Sequence, residues 1–326
     1  MTETAQATPL PMRSADPAQA HTGARRTPTG AAYPEPRAVL ELFKPITWFP
    51  PMWAFACGAI ASGADIGAQW FTVLIGIVLA GPMVCATSQA VNDWYDRHVD
   101  AINEPNRPIP SGRIPGTWGF WIAVAWTLCS LAVASLLGAW VFAAAVLGLA
   151  LAWAYSAPPL RFKQNGWVGN AACGFSYEGL AWFTGTAVMV SAFPDWRSVT
   201  LAVLYSLGAH GIMTLNDYKA IEGDKQSGVN SLPVLLGPDR AALVACIAMI
   251  APQLVVIGFL FALGAPWHAV AIVGLVIVQV LMMRRFLAAP IEKALWYSAL
   301  GVPVFVTGMM ISAFAVRPLV AAAAGG

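Results

Sequence analysis

Charge is what this chain has least of. Asp, Glu, Lys and Arg together make up 10% of its 326 residues, where roughly 25% is usual in soluble proteins. The net charge is only +2, too little to support nucleic-acid binding, which relies on dense positive charge. Cysteine is also sparse: Cys57, Cys85, Cys129, Cys173 and Cys246 form no CxxC pair. A disulfide framework or sulfur-ligated metal is therefore not expected, and small-residue packing accounts for them. The first residues, rich in Ala, Thr and Pro, contain no apolar core of the kind a signal peptide needs. Residues 1–38 are expected to be a disordered cytoplasmic tail.

Hydrophobic residues reach 58%, and the missing charge leaves long clean runs. Pro45–Ala64, Ile66–Asn92, Ser198–Asn216 and Ala294–Val316 contain no Asp, Glu, Lys or Arg, and Gln164–Pro194 contains only Glu178. Ile114–Leu160 and Ala241–Met283 are clean and long enough to cross twice, given that one crossing takes roughly 20 residues. The pattern predicts an all-α polytopic membrane protein of about nine transmembrane helices around a central cavity. The two long runs are expected to turn near Leu137–Gly138 and Gly264–Trp267. With the N-terminus cytoplasmic, every Lys and Arg except Arg197 and Arg317 falls on the cytoplasmic side, as basic residues prefer. The membrane domain is expected over 39–317, with a short C-terminal tail over 318–326. Pro50 and Pro51 are expected to disrupt the first span beside the cavity.

Seven of the 16 acidic residues fall in two short segments. The first runs Asn92-Asp93-Trp94-Tyr95-Asp96-Arg97-His98-Val99-Asp100 and continues through Glu104 and Arg107 to Gly112. The second is Asn216-Asp217-Tyr218-Lys219-Ala220-Ile221-Glu222-Gly223-Asp224-Lys225. Each begins where an apolar span ends at the cytoplasmic face. On a continuous helix Asn92, Asp93, Asp96 and Asp100 share an arc of about 100°, and Asp217 and Asp224 lie about 20° apart. Glu222 and His98 point elsewhere. Stripes of carboxylates repel unless a cation lies between them. Mg²⁺ suits such a site because it takes one or two carboxylates together with substrate phosphate oxygens. Candidate ligands are Asn92, Asp96, Asp100, Asp217 and Asp224, with Asp93 also a catalytic candidate. Arg97, Arg107, Arg161, Lys163, Lys219 and Lys225 are candidates for a diphosphate, Arg being suited by its bidentate fork. Either motif alone reads equally well as solvated loop charge; two of similar form make that weaker.

These residues carry a resemblance. Asn92, Asp93, Asp96 and Asp100 match the N-D-x-x-D-x-x-x-D motif of the UbiA-type intramembrane prenyltransferases. The chain resembles them over about Val39–Val316. Phe43–Trp53, Asn92–Pro115, Tyr218–Asp224 and Asn230–Val234 are similar to the chlorophyll and bacteriochlorophyll synthase branch. His98 and the wording Asp217–Asp224 favour the bacteriochlorophyll side. Many relatives carry an Asp where this chain has Ala220, and Asp217 takes its place. The resemblance implies Mg²⁺-dependent transfer from geranylgeranyl or phytyl diphosphate to the 17-propionate of a bacteriochlorophyllide. The implied setting is the bilayer of a bacterial inner or intracytoplasmic membrane, with a cytoplasm-facing site and pigment-biosynthesis or photosystem-assembly proteins as possible partners. Tyr155 and Tyr218 adjoin the site as cavity candidates. Glu178 stands mid-span and either meets the tetrapyrrole or packs as a neutral group. His210 either ligates the pigment's magnesium or packs between helices.

Other classes remain open at this point. An ion-coupled transporter would use mid-span Glu178 and the interfacial acids, but it needs charge near the bilayer midplane. Quinone-type or haem prenylation would share the donor chemistry and differ only in the acceptor. A structural antenna protein explains neither acidic motif.

Overall fold

The computed structural model describes residues 32–324, and among these the only β-pairing is an isolated bridge between Asn165 and Asn230. The expected N-terminal tail lies mostly outside the described residues. Its last part is already helical, because α1 spans Pro36–Leu42 and starts with proline in its first turn, where the missing N–H costs nothing. Ala38, Leu42 and Phe43 bury against Ala86, Ala90, Val91 and Ala123. That apolar contact docks α1 against the helix that carries the first acidic motif.

The prolines expected to break the first span instead start it. Helix α2 runs Phe49–Ala61 with Pro50 and Pro51 in its opening turn, the position a helix tolerates best. The next helix is continuous over Trp70–Asn103 and is built from α3 (Trp70–Val78), a π-helical turn (Leu79–Cys85) and α4 (Ala86–Asn103). Pro82 lies inside that π turn. A proline in a regular helix loses a donor and crowds the carbonyl four residues back; the wider π turn accommodates it. Helices α5 (Trp118–Leu137) and α6 (Ala139–Ser156) reverse at Gly138, whose φ of 120° only glycine adopts readily.

Residues 166–190 form one unbroken helix of α7 (Gly166–Gly174), a second π turn (Phe175–Leu180) and α8 (Ala181–Val190). Helix α9 (Trp196–Asp217) is followed by a 3₁₀ turn over Tyr218–Ala220 and by α10 (Ile221–Ser227). After the short α11 (Leu232–Leu236) come α12 (Pro238–Ala262), α13 (Pro266–Ala288) and α14 (Pro290–Ala324). The turn between α12 and α13 falls at Gly264, as the sequence predicts. Residues 318–324 are not a separate tail but the end of α14.

Among the described residues, seven helices are long and apolar enough to cross a membrane. The two further spans expected from sequence are α2, which has 13 residues, and residues 166–190, whose polar Asn170 and Glu178 lower the apolarity. Helix α9 is the axis of the bundle, packing against α7, α12 and α14. Some polar groups pair across helices within the bundle. Gln253 and Gln279 exchange hydrogen bonds of 3.2 and 3.0 Å between α12 and α13, the kind of interhelical contact that apolar surroundings favour.

The tightest crossing is between α2 and α8. A Cβ at Gly58 would lie 1.9 Å from the Trp182 carbonyl oxygen, and one at Gly185 would lie 2.1 Å from that of Phe55. Two backbones meet at these positions, so a side chain at either forces them apart. Gly58→Ala and Gly185→Ala should each cost about 1–3 kcal/mol and lower the melting temperature of the detergent-solubilised protein. Gly258→Ala on α12, where a Cβ meets nothing within 4 Å, should leave it unchanged or raise it.

Candidate active site

A cavity of about 1160 Å³ opens at the end of the bundle where both acidic segments lie. One wall is α4, which contributes Asn92, Asp96 and Asp100; the opposite wall contributes Asn216, Asp217, Lys219 and Asp224. The spacing argument holds on the first wall because α4 is regular through Asn103. On the second it reaches the right residues by a different route. The chain changes to a 3₁₀ turn after Asp217 and restarts at Ile221, so Asp217 and Asp224 share the cavity through a kink rather than one helical face. Glu222 stays on the surface, accepting from Lys225 at 3.1 Å.

The carboxylates are compensated from several elements. Asp96 accepts from Asn92 Nδ2 at 3.0 Å and pairs with Lys163 from the loop after α6. Asp100 accepts from Arg107 at 2.9 Å. Asp217 accepts from Asn170 Nδ2 of α7 at 3.0 Å. Burial depresses the Lys163 ammonium below the usual lysine range, and the neighbouring Asp96 charge works against that depression. The loop bearing Lys163 is held in place by the second motif's own segment. Gly166 N–H donates to Asn230 O at 2.8 Å, and Asn230 N–H donates to Gln164 O at 3.0 Å. Asn165 Oδ1 caps α7 by accepting from the Trp167 and Val168 amides.

Several expected residues stand elsewhere. Asp93 does not line the cavity. It is 2% exposed and accepts from Lys44 at 2.7 Å and Arg107 at 3.4 Å, so it anchors the cations from behind. Arg97 turns away: its guanidinium donates to Trp94 O at 2.6 Å and lies 4.0 Å over the Trp94 ring. Lys225 is occupied with Glu222. Tyr218 is buried outside the cavity, its hydroxyl donating to Pro238 O and its ring against Phe286. His210 is also off the cavity, with Nε2 at 3.3 Å from Trp167 O. Glu178 is buried in the second π turn, and its Oε2 has no partner among the described residues. Tyr155, Arg107, Arg161, Lys163 and Lys219 do line the cavity. Asn170, Gln89, Ser88 and Tyr177 line it as well, though nothing in the sequence singled them out: they are uncharged residues inside apolar runs. Of the cysteines, all free, Cys85 and Cys173 line the cavity and Cys129 is exposed.

The donor set fits a hard divalent cation. Asp96, Asp100, Asp217 and Asp224 offer carboxylate oxygens from both walls, with Asn92 and Asn216 as amide oxygens. Among the described residues no three His, Cys, Asp or Glu side chains close around a metal by themselves. Mg²⁺ does not require such a cage, since it usually shares its coordination with substrate phosphates. Arg161, in a left-handed backbone conformation at φ 36°, has a buried Nε without a partner among the described residues. A buried guanidinium donor calls for an anion.

An all-helical bundle with opposed carboxylates and basic groups at the mouth of one cavity is the architecture of an intramembrane enzyme. The profile of the UbiA prenyltransferase family matches residues 47–307, and the chain belongs to that family. Among individual relatives it is 55% identical to the bacteriochlorophyll synthase 33 kDa chain of Cereibacter sphaeroides, over 88% of this chain and 95% of that one. It is 41% identical to the chloroplastic chlorophyll synthase of Oryza sativa, over 85% of this chain and 76% of that one. The fold matches a UbiA homologue from Archaeoglobus fulgidus bound to GPP and Mg²⁺, with a TM-score of 0.61 at 19% identity, over 87% of this chain and 99% of that one.

The placement of the cations separates their roles. Arg161→Met and Lys163→Met should each weaken prenyl diphosphate binding about tenfold or more, the scale of a lost charged hydrogen bond. Arg97→Met should change it less than about twofold, as surface substitutions do. Calorimetric titration of the three variants checks the division.

Proposed function

We propose that this prenyltransferase joins a geranylgeranyl or phytyl group to the 17-propionate of bacteriochlorophyllide a, in the bacterial inner or intracytoplasmic membrane, with its site open to the cytoplasm. The observation that carries the acceptor is the 55% identity to a bacteriochlorophyll synthase over nearly the whole of both chains. The cavity supports the chemistry. The basic residues gather at the end occupied by the acids, which favours the cytoplasmic side for that end.

The residues divide the work by depth. Asp96, Asp100, Asp217 and Asp224, with Asn92, would hold Mg²⁺ at the mouth. Bound there, Mg²⁺ supplies Lewis-acid stabilisation of the negative charge that develops on a departing diphosphate. Arg107, Arg161, Lys163 and Lys219 grip diphosphate oxygens through charge-assisted hydrogen bonds. Asp93 and Lys44 fix Arg107 from behind and are positioning residues. Below this layer the wall turns apolar through Leu79, Ala80, Ala144, Ala145, Gly148 and Leu180, which keeps water from the reacting carbon. A separate apolar pocket of about 290 Å³ shares Ala144 and Leu180 with this wall and reaches Val199 and Val203 near the far end of α9. From Asp217 those positions are about 21–27 Å along the helix, a depth that suits a long isoprenoid tail.

The nucleophile is a carboxylate, ionised near neutral pH because its ordinary pKa is about 4, so the reaction needs no general base. Transport finds no support in the geometry, since the midspan acid Glu178 does not line the cavity. Membranes containing the protein should form the tetrapyrrole ester from bacteriochlorophyllide and geranylgeranyl diphosphate only when Mg²⁺ is present. Asp96→Asn and Asp224→Asn should each reduce ester formation by at least about 100-fold, the scale of losing one charge-stabilising group, while the protein still inserts. Full activity in both variants would overturn the site.

A further inference from the structure

The acids and cations at the mouth account for the diphosphate, but none of them is suited to hold the acceptor. Its propionate is an anion and would be repelled by the carboxylate stripes. A second polar layer lies deeper in the same cavity. Gln89, Asp96 and Asp100 lie within an arc of about 40° on α4, with Gln89 about 10 Å deeper than Asp96. Gln89 Nε2 donates to Tyr177 Oη at 3.0 Å. Ser88 Oγ and Cys85 Sγ approach the same oxygen at 3.4 and 3.6 Å. All four residues line the cavity.

The two π turns bring these groups together. Each inserts one residue into a helix and rotates the remainder of that helix, a distortion that recurs at functional sites. The first ends at Cys85 and the second contains Tyr177, so the collar forms where the two irregular turns touch. Its hydrogen-bond accounting is incomplete. Ser88 directs its own proton to the Cys85 carbonyl at 2.7 Å, which leaves the Tyr177 O–H with only the long contacts to Ser88 and Cys85. The second N–H of Gln89 has no partner among the described residues. Two neutral donors thus face one cavity at one depth, matching the two oxygens of a carboxylate.

We propose that Tyr177 and Gln89 seat the acceptor's carboxylate below the diphosphate layer, on the side of the reacting carbon away from the leaving group. The proposal rests on the acceptor assigned above. In the step it serves, a carboxylate oxygen forms a bond to C1 of the prenyl chain. The bond from C1 to the diphosphate oxygen breaks, and the diphosphate leaves with the electron pair; no proton moves. Neutral donors suit this role because a lysine or arginine would hold the nucleophile in an ion pair and reduce its reactivity.

The full-length protein in lipid nanodiscs tests this with Tyr177→Phe, which keeps the ring and removes the hydroxyl, and with Gln89→Leu as the independent second variant. Each should lower kcat/KM for bacteriochlorophyllide about 10- to 100-fold, the scale of one hydrogen bond to a charged group. Affinity for geranylgeranyl diphosphate with Mg²⁺, titrated without acceptor, should stay within about twofold, since neither side chain belongs to the diphosphate layer. The methyl ester of bacteriochlorophyllide should compete at least about tenfold more weakly than the acid against wild type, and its inhibition constant should not change in Tyr177→Phe. Unchanged acceptor kinetics in both variants, or equal losses on the donor and acceptor sides, would overturn the proposal while wild-type esterification stands. A wild-type protein that forms no tetrapyrrole ester would overturn the acceptor assignment together with it.

Discussion

Carboxylates crowded at the mouth of an apolar cavity cannot be left to bulk water, and the arrangement of the bundle's charged end stems from that constraint. Asp96, Asp100, Asp217 and Asp224 share a space whose lower walls are alanine, glycine and leucine. Repulsion among them is offset by groups brought from separate parts of the chain: Lys163 from the loop after α6, Arg107 from the turn after α4, and Asn170 from α7. Asp93 has a different part, since its burial against Lys44 and Arg107 keeps a cation aimed at the cavity rather than adding another anion to it. Charges of both signs in one partly buried network hold one another's geometry more firmly than exposed pairs do.

The irregular helices belong to the same design. A bilayer admits helices because their backbone groups bond internally, and a straight helix offers a ligand only side chains at fixed rotations. Widening α3–α4 at Leu79–Cys85 and α7–α8 at Phe175–Leu180 re-aims polar side chains without exposing a strand or loop to lipid. The 3₁₀ turn after Asp217 does the same for the second motif and brings Asp224 back to the cavity that Asp217 faces.

The sequence makes the membrane class legible because charge-free runs and basic loops report directly on burial in lipid. Turns at Gly138 and Gly264 follow from glycine's freedom at positive φ. The cavity-facing residues of the first motif are legible because α4 stays regular. The features that escaped the sequence did so for physical reasons. Helical periodicity assumes uniform turns, so it does not anticipate the kink at Ala220 or either π turn. Spacing also does not distinguish a carboxylate facing the cavity from one facing a buried cation, which separates Asp96 from Asp93. Arg97 looked like a phosphate ligand by position alone, but the Trp94 ring holds it outward. Asn170, Gln89 and Tyr177 carry no charge and make no motif; only the fold brings them beside the acids.

The bridge between Asn165 and Asn230 has a bearing on how the mouth moves. Segments 161–166 and 228–232 are separate in sequence yet laced together by main-chain hydrogen bonds, and a Cβ at Gly166 would lie only 2.6 Å from the Leu232 amide nitrogen. Neither segment can swing outward alone. The rim carrying Arg161 and Lys163 therefore behaves as one jaw with the strip beyond Asp224, and any opening of the mouth on that side carries both together.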